Sequence, residues 1–291
     1  MIESNRRTFL SSLPAAASSA FALSGAPGAA GRRIIDTNVY MGDWPGRQLA
    51  PGRTTELVAS LRRQGVVEAW TGSFDALLHK DIAGVNARLA AECNQYGRDL
   101  LLPFGAVNPV LPDWQEDLRR CHEEFGMRGI RLHPNYQGYS LDHPEFARLL
   151  AMATERGLVV QVAAWMEDER TQHPLLRVPM VDLVRLAPAV ARVPGAKVVV
   201  LNGFISVRLA QRALPGLKKF DQVLFDLAMQ EQLAGLKVLI DAVGLDRVVF
   251  GSYSPMFYFE AATLKLRESA LTEEQTGPIM FGNARRLLGR A

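Results

Sequence analysis

The feature that most constrains this chain is a regular alternation along its length. Eight short β-rich runs recur: Arg33 to Tyr40, Val67 to Phe74, Leu101 to Asn108, Met127 to His133, Leu158 to Ala164, Lys197 to Asn202, Gln222 to Leu227 and Arg247 to Ser252. Between them lie stretches of helical period: Thr54 to Gln64, Asp81 to Tyr96, Asp113 to Phe125, Pro144 to Arg156, Val181 to Val193, Ser206 to Leu214 and Leu233 to Val243. A last helical region runs from Glu260 to Leu288. Strand followed by helix, repeated without an obvious linker, requires parallel strands joined by right-handed crossovers. The expected fold is therefore α/β, a single-domain (β/α)8 TIM barrel. The alternative, an open doubly wound sheet, lacks here the glycine-rich phosphate turn that usually marks it.

What precedes the first strand reads as an address. Asn5-Arg6-Arg7-Thr8-Phe9-Leu10 leads into an uncharged, Ala- and Ser-rich run to Ala30, and no charge occurs between Arg7 and Arg32. This resembles a twin-arginine export signal, which gives a division into residues 1–30 as signal and 31–291 as barrel. Ala20-Phe21-Ala22 and Ser24-Gly25-Ala26 offer small-residue cleavage sites. The implied location is the periplasm or the exterior, with the twin-arginine export machinery as a partner. Elsewhere no run of about 18 strongly apolar residues suggests stable membrane insertion.

Charge narrows the partners. The formal charge of +3 includes +1 from Glu3, Arg6 and Arg7, which leaves +2 for residues 31–291. No Lys/Arg block exceeds a pair, so Lys218-Lys219 and Arg285-Arg286 read as solvated helix ends rather than a nucleic-acid surface. Cys93 and Cys121 fall in helix-like segments without metal spacing and read as buried thiols, with a single disulfide as the minor alternative. A small-molecule ligand or substrate is the expected partner, and a homo-oligomer built through the outer helices is open.

Chemistry in such a barrel gathers at the C-terminal ends of the strands. In Ile35-Asp36-Thr37-Asn38-Val39-Tyr40, three polar side chains alternate with apolar ones, so Asp36, Asn38 and Tyr40 share one face. Arg131 and His133 alternate in the same way with Ile130 and Leu132. His133, Glu167, Asp168, His173 and Asp226 could assemble a rearranged metal or acid/base site, with His133, Glu167 and Asp226 as the candidate acid/base residues, since a histidine beside a carboxylate can supply two titratable groups in different environments. Asn38, Tyr40, Trp44, Arg131, Asn135, Tyr139, Trp165 and Tyr253 are the candidate substrate-binding residues. Glu167 to Arg170 also reads as a salt-bridged loop, His133 as a structural residue and Asp36 as a hydrogen-bonding hub. Arg131 requires an anion, either Asp36 or Glu167 in the protein or a substrate carboxylate. Trp44, Tyr136, Tyr139, Trp165, Tyr253, Phe257 and Tyr258 are expected to cluster in the mouth as a pocket for a small, partly apolar molecule.

The segments Ile35 to Tyr40, Gly129-Ile130-Arg131-Leu132-His133-Pro134, Phe250-Gly251-Ser252-Tyr253-Ser254-Pro255 and Gly282-Asn283-Ala284-Arg285-Arg286-Leu287 resemble the amidohydrolase-related family of TIM-barrel hydrolases and decarboxylases. The resemblance spans residues 32 to 288. It implies a divalent metal, usually zinc, held by Asp-x-His-x-His on the first strand, histidines on strands five and six, and an aspartate in Gly-Ser-Asp-x-Pro on strand eight. Carried over residue by residue, those positions fall on Asn38, Tyr40, Ala163, near Asn202, and on Tyr253. A neutral amide and a protonated phenol are poor ligands, so the usual zinc site is expected to be absent and the cofactor is left open. Three readings compete: an enzyme of hydrolase or decarboxylase type acting on a small organic substrate (amide, ester or lactone-like for the hydrolase) through an atypical site; an inactive relative that binds a small molecule in the mouth; and a structural or interaction partner, in an oligomer built through the outer helices.

Overall fold

The computed structural model describes residues 33–46, 48–50, 52–203 and 207–290, without side chains at 207–211. The signal assigned to residues 1–30 lies outside the described residues.

Eight strands run parallel in chain order: β1 (Ile34–Met41), β2 (Val66–Ser73), β3 (Leu101–Ala106), β4 (Gly129–Leu132), β5 (Val159–Ala163), β6 (Lys197–Leu201), β7 (Val223–Asp226) and β8 (Val248–Val249). Helices α1 (Thr54–Arg63), α2 (Ile82–Gly97), α3 (Trp114–Arg119), α4 (Pro144–Glu155), α5 (Leu186–Ala191), α6 (Val207–Leu217), α7 (Gly235–Val243) and α8 (Phe259–Glu268) form the crossovers and the outer ring. The ring closes irregularly: Thr37 N–H donates to Phe250 O at 2.9 Å and Tyr40 N–H to Ser254 O at 2.8 Å. The architecture is a single (β/α)8 TIM barrel.

Two expected elements come out shorter, for identifiable reasons. β8 keeps only two ladder residues because the chain beyond Phe250 curls, with Tyr253 at φ +59°, and Ser252 N–H turns inward to Asp36 Oδ1 at 2.9 Å. The stretch expected as one helix from Val181 opens as a tight turn at Leu183–Arg185 before α5, whose third residue, Pro188, has no N–H to donate.

The strand alternation builds the interior in layers. An apolar floor of Ile35, Trp70, Phe104, Val159, Val199, Leu224 and Val249 is sealed by Leu287 and Leu288 near the C-terminus. Above it lies a polar layer: Asp36, Asn38, Arg131, Gln161, Asn202 and Asp226, each no more than 1% exposed. Over that sits an aromatic and thioether layer of Tyr40, Phe74, Met166 and Tyr253. The aliphatic residues of the opposite parity, such as Val39, Ile130, Val162 and Val200, meet the helices. Both cysteines are buried free thiols, each pushed up to about 12 by burial. Among the described residues no helix is long and apolar enough to cross a membrane.

Candidate functional site at the barrel mouth

The polar layer is a connected network. Asn38 Nδ2 donates to Asn202 Oδ1 and to Asp226 Oδ2, both at 2.7 Å, and Asn38 N–H donates to Asp36 Oδ1 at 3.1 Å. Asn202 N–H closes the network on Asp226 Oδ1 at 2.8 Å. Asn202 stands at φ +53°, a left-handed conformation that asparagine tolerates better than most residues. Gly251 is required here, because a Cβ would meet Asp226 Oδ2 at 2.7 Å and Asn38 Cβ at 3.0 Å. Burial raises both carboxyls, Asp226 to about 7 and Asp36 to about 6, against the lowering effect of their hydrogen bonds. Asp36 is the hub the sequence suggested, tying β1 to the curl after β8. Its Oδ2, together with Asn38 Oδ1 and Asn202 Nδ2, has no hydrogen-bond partner among the described residues.

Arg131 differs from expectation. It pairs with neither Asp36 nor Glu167. Nε donates to Gln161 Oε1 at 2.7 Å, and the Nη atoms donate to the backbone oxygens of Val39, Thr37 and Trp70 at 2.7, 3.2 and 2.8 Å. Its guanidinium lies 4.3 Å from the centre of the Tyr40 ring and against Gly72, where a Cβ would stand 2.8 Å from Cδ and Nη1. The carbonyls freed by the slips in the β1–β2 register give the cation acceptors without a carboxylate. Arg131 is a structural clamp beneath the mouth.

The layer above closes that centre off. Tyr40 stacks on Phe74 at 4.5 Å and meets Tyr253 edge-on at 5.7 Å. Tyr40 Oη bonds His133 Nε2 at 3.0 Å, the direction depending on the imidazole tautomer, and Tyr253 Oη donates to Met166 O at 2.7 Å. Met166 Sδ lies 3.7 Å from both phenol oxygens. Burial and the Arg131 charge hold His133 down to about 3, so it stays neutral, and burial lifts the Tyr40 phenol to about 12.

Open space lies outside this partition. One cavity of about 360 Å3 is lined by Trp165, Met166, Met229, Met256 and Phe257 together with Glu167, Asp168, Arg170, Thr171 and Glu231. A neighbouring one of about 500 Å3, lined by Trp44, Tyr136, His173 and Leu176, shares Glu167 and Thr171 with the first.

Of the candidate acid/base residues, the structure therefore separates Glu167, at the cavity, from His133 and Asp226 beneath the partition. No hydrogen bond joins His133 to Asp226: Nε2 of the imidazole bonds Tyr40 Oη, its Nδ1 has no partner among the described residues, and Asp226 accepts from Asn38 and Asn202. Among the candidate binding residues, Trp44 and Trp165 line open space, while Asn38, Tyr40, Arg131 and Tyr253 are buried. Two others lie elsewhere. Tyr139 packs against Phe146 of α4 in the helix-facing core, and Asn135 Nδ2 donates to Pro179 O. Of the seven aromatics expected in the mouth, Tyr136, Phe257 and three already named join its apolar cluster, whereas Tyr258 is 82% exposed. Asp168 and Arg170 do form the expected salt bridge, at 2.6 Å. Sequence reasoning misses Met229 and Met256 as wall residues and Phe74 as part of the aromatic layer beneath. A signal existed for Met166 and Met229, which each lie three residues beyond the end of their strand.

The fold has solved counterparts. A 2,6-dihydroxybenzoate decarboxylase from Rhizobium superposes with a TM-score of 0.68 at 17% identity, covering 89% of this chain and 98% of that one. A 5-carboxyvanillate decarboxylase from Sphingomonas paucimobilis gives 0.70 at 13%, covering 89% and 99%. A dihydroxybenzoic acid decarboxylase from Polaromonas, solved with bound manganese and 2-nitroresorcinol, gives 0.70 at 14%, covering 90% and 98%. At such identities the likeness is one of fold. No curated protein matches the chain. The sequence profile of the amidohydrolase family, however, matches residues 45–290. The chain belongs to the amidohydrolase family.

Proposed function

We propose that this family member binds a small, largely apolar, ring-bearing molecule in the mouth cavity, without the family's usual metal chemistry. The observation that carries the reading is the partition of Tyr40, Tyr253 and Met166. It fills the space between the barrel axis and the cavity and commits Tyr40 and Tyr253, two of the side chains that stand at the metal-ligand positions. The donor set does not fit zinc. Tyr40 is a neutral phenol bonded to His133, Tyr253 donates to Met166 O, Ala163 offers no donor, and both oxygens of Asp226 already accept hydrogen bonds. Outside the partition, Trp165, Phe257 and three methionines supply apolar, adaptable walls suited to a ring.

The test is calorimetric titration with benzyl alcohol and 2,6-dihydroxybenzoate, repeated on Met256→Trp, which fills the cavity. Ring binding that falls at least tenfold in the filled variant supports the reading, and binding unchanged by filling refutes it. A second reading, turnover of decarboxylase or hydrolase type, is favoured by the Asp226 carboxyl at about 7, close to a working proton-transfer pKa. The related folds include decarboxylases, which makes a lyase at least as good an expectation as a hydrolase. Asp226→Asn abolishing a measured turnover would support it. Export through the twin-arginine route to the periplasm or beyond, and a homo-oligomer, complete the proposal. Fractionation of cells expressing Arg6→Lys/Arg7→Lys tests the first, and light scattering tests the second.

A further inference from the structure

Two carboxylates in the polar layer have no cation in contact. Asp36 and Asp226 are fully buried, and among the described residues neither joins an ion pair. Arg131 directs its bonds to Gln161 and to three backbone carbonyls instead. Arg131 acts on Asp36 and Asp226 through space without touching either, and Lys265 likewise on Asp226, its ammonium being bonded to Ala228 O and Glu231. Among the described residues Asp36 Oδ2 and Asn38 Oδ1 have no hydrogen-bond partner, although the Ser252 hydroxyl lies close enough to lower Asp36, and Asn38 bridges the two carboxylates. Buried acceptors are nearly always satisfied, so two in one network, beside carboxyls that the Arg131 cation reaches only through space, favour a group that brings N–H donors together with positive charge, while Asn202 Nδ2 remains as a donor in the same layer. An anionic head would meet Asp36 and Asp226 as like charges.

The route to this layer is also built. Met166 lines the outer cavity and at the same time touches the hydroxyls of Tyr40 and Tyr253, so its side chain belongs to both compartments. An unbranched thioether chain can rotate aside without moving the strands, and doing so would uncover the two tyrosine hydroxyls it now touches. Tyr253, at φ +59°, stores backbone strain at the same point.

We propose that the polar layer receives the ammonium head of a primary amine through contacts to Asp36, Asn38 and Asp226, while the apolar body of that amine stays among Trp165, Met229 and Met256. This assignment rests on the reading of the mouth cavity as a ring-binding site and adds the chemical class of the head. It separates this chain from the related folds solved as benzoate-type decarboxylases.

The experiment is calorimetry on the whole protein at one neutral pH with four probes: benzylamine, phenethylamine, benzyl alcohol and phenylacetate. The amines should bind on the order of tenfold to a hundredfold more tightly than benzyl alcohol, the range expected for hydrogen bonds to a buried carboxylate. Asp226→Asn should bring the amines down to the affinity of the alcohol. Because that variant sets an amide NH2 against one of the two donors, Asn38 Nδ2 or the Asn202 N–H, and can unfold, the selectivity of the wild type is itself decisive. Equal affinity for amine and alcohol, or tighter phenylacetate, overturns the head-group assignment and leaves the cavity standing. Failure of all four probes to bind overturns both.

Discussion

Replacing Arg131 with Met tests the interior directly, because the structure makes that arginine a clamp with no part in binding an anion. The substitution keeps a long apolar stem but removes four hydrogen bonds, of 2.7 to 3.2 Å, from a fully buried cation. Thr37 O keeps its bond from Gln161 Nε2 at 2.7 Å, so the acceptors left bare are Gln161 Oε1, Val39 O and Trp70 O. At about 1–3 kcal/mol per stranded buried acceptor, partly relieved by water and by no longer burying a charge, the expected loss is about 3–5 kcal/mol. In urea that lowers the midpoint by about 1–2 M. Gly72→Ala supplies an independent check, since the new Cβ would stand 2.8 Å from Arg131 Cδ and Nη1, at a cost of about 1–3 kcal/mol. In the Arg131→Met background that clash has no rigid partner, so the double-mutant cycle should show a coupling of about 1 kcal/mol or more. Additive costs would refute the packing argument. A folded Arg131→Met protein that loses benzoate binding seen in the wild type would show that the arginine receives an anion after all.

Three further outcomes follow from the same interior. Tyr40→Phe should cost about 1–2 kcal/mol in thermal or urea unfolding, because it strips His133 of its hydrogen bond in a fully buried place; a neutral effect would contradict that bond. In pH dependence, Asp36 and Asp226 have folded pKa values raised to about 6 and 7, so their contribution is complete below about pH 4 and is lost as pH rises through those values. His133, lowered to about 3, acts oppositely, its contribution being present above about pH 6.5 and lost on acidification, so His133→Asn should steepen the fall of stability from pH 4 to 6.5 by about 1.4 kcal/mol per unit. An unchanged slope would mean the histidine is accessible to water. Finally, Asn38→His/Tyr40→His should not create nanomolar zinc affinity in a competition titration, because Ala163 and Tyr253 still stand at the remaining ligand positions. Tight binding by that variant would show that the site has been aligned wrongly.

The strand parity of β1 and β4 was legible in the sequence, since Asp36, Asn38 and Tyr40, and likewise Arg131 and His133, do turn to the axis. Depth was not. A period of two says which way a side chain points and says nothing of what lies above it, so Asp226 was expected in the mouth although Tyr40 and Tyr253 cover it. The partners of Arg131 escape sequence reasoning for a related reason. Carbonyls released by a register slip leave no trace in residue identity, so the charge rule pointed to a carboxylate. Tyr139 and Asn135 follow β4 closely in sequence, but the loop turns them toward α4 and Pro179, a tertiary choice that local pattern does not encode. The ring closure was read correctly from strand order, while the shortness of β8 depends on a left-handed tyrosine that propensity would not forecast.

The most direct test of a mouth that binds without the family's metal is elemental mass spectrometry of the protein, purified without chelator or histidine tag. Substoichiometric zinc, manganese and iron in a sample that still binds benzyl alcohol is the predicted result. Near-stoichiometric metal, lost together with ring binding on dialysis against a chelator, would contradict it.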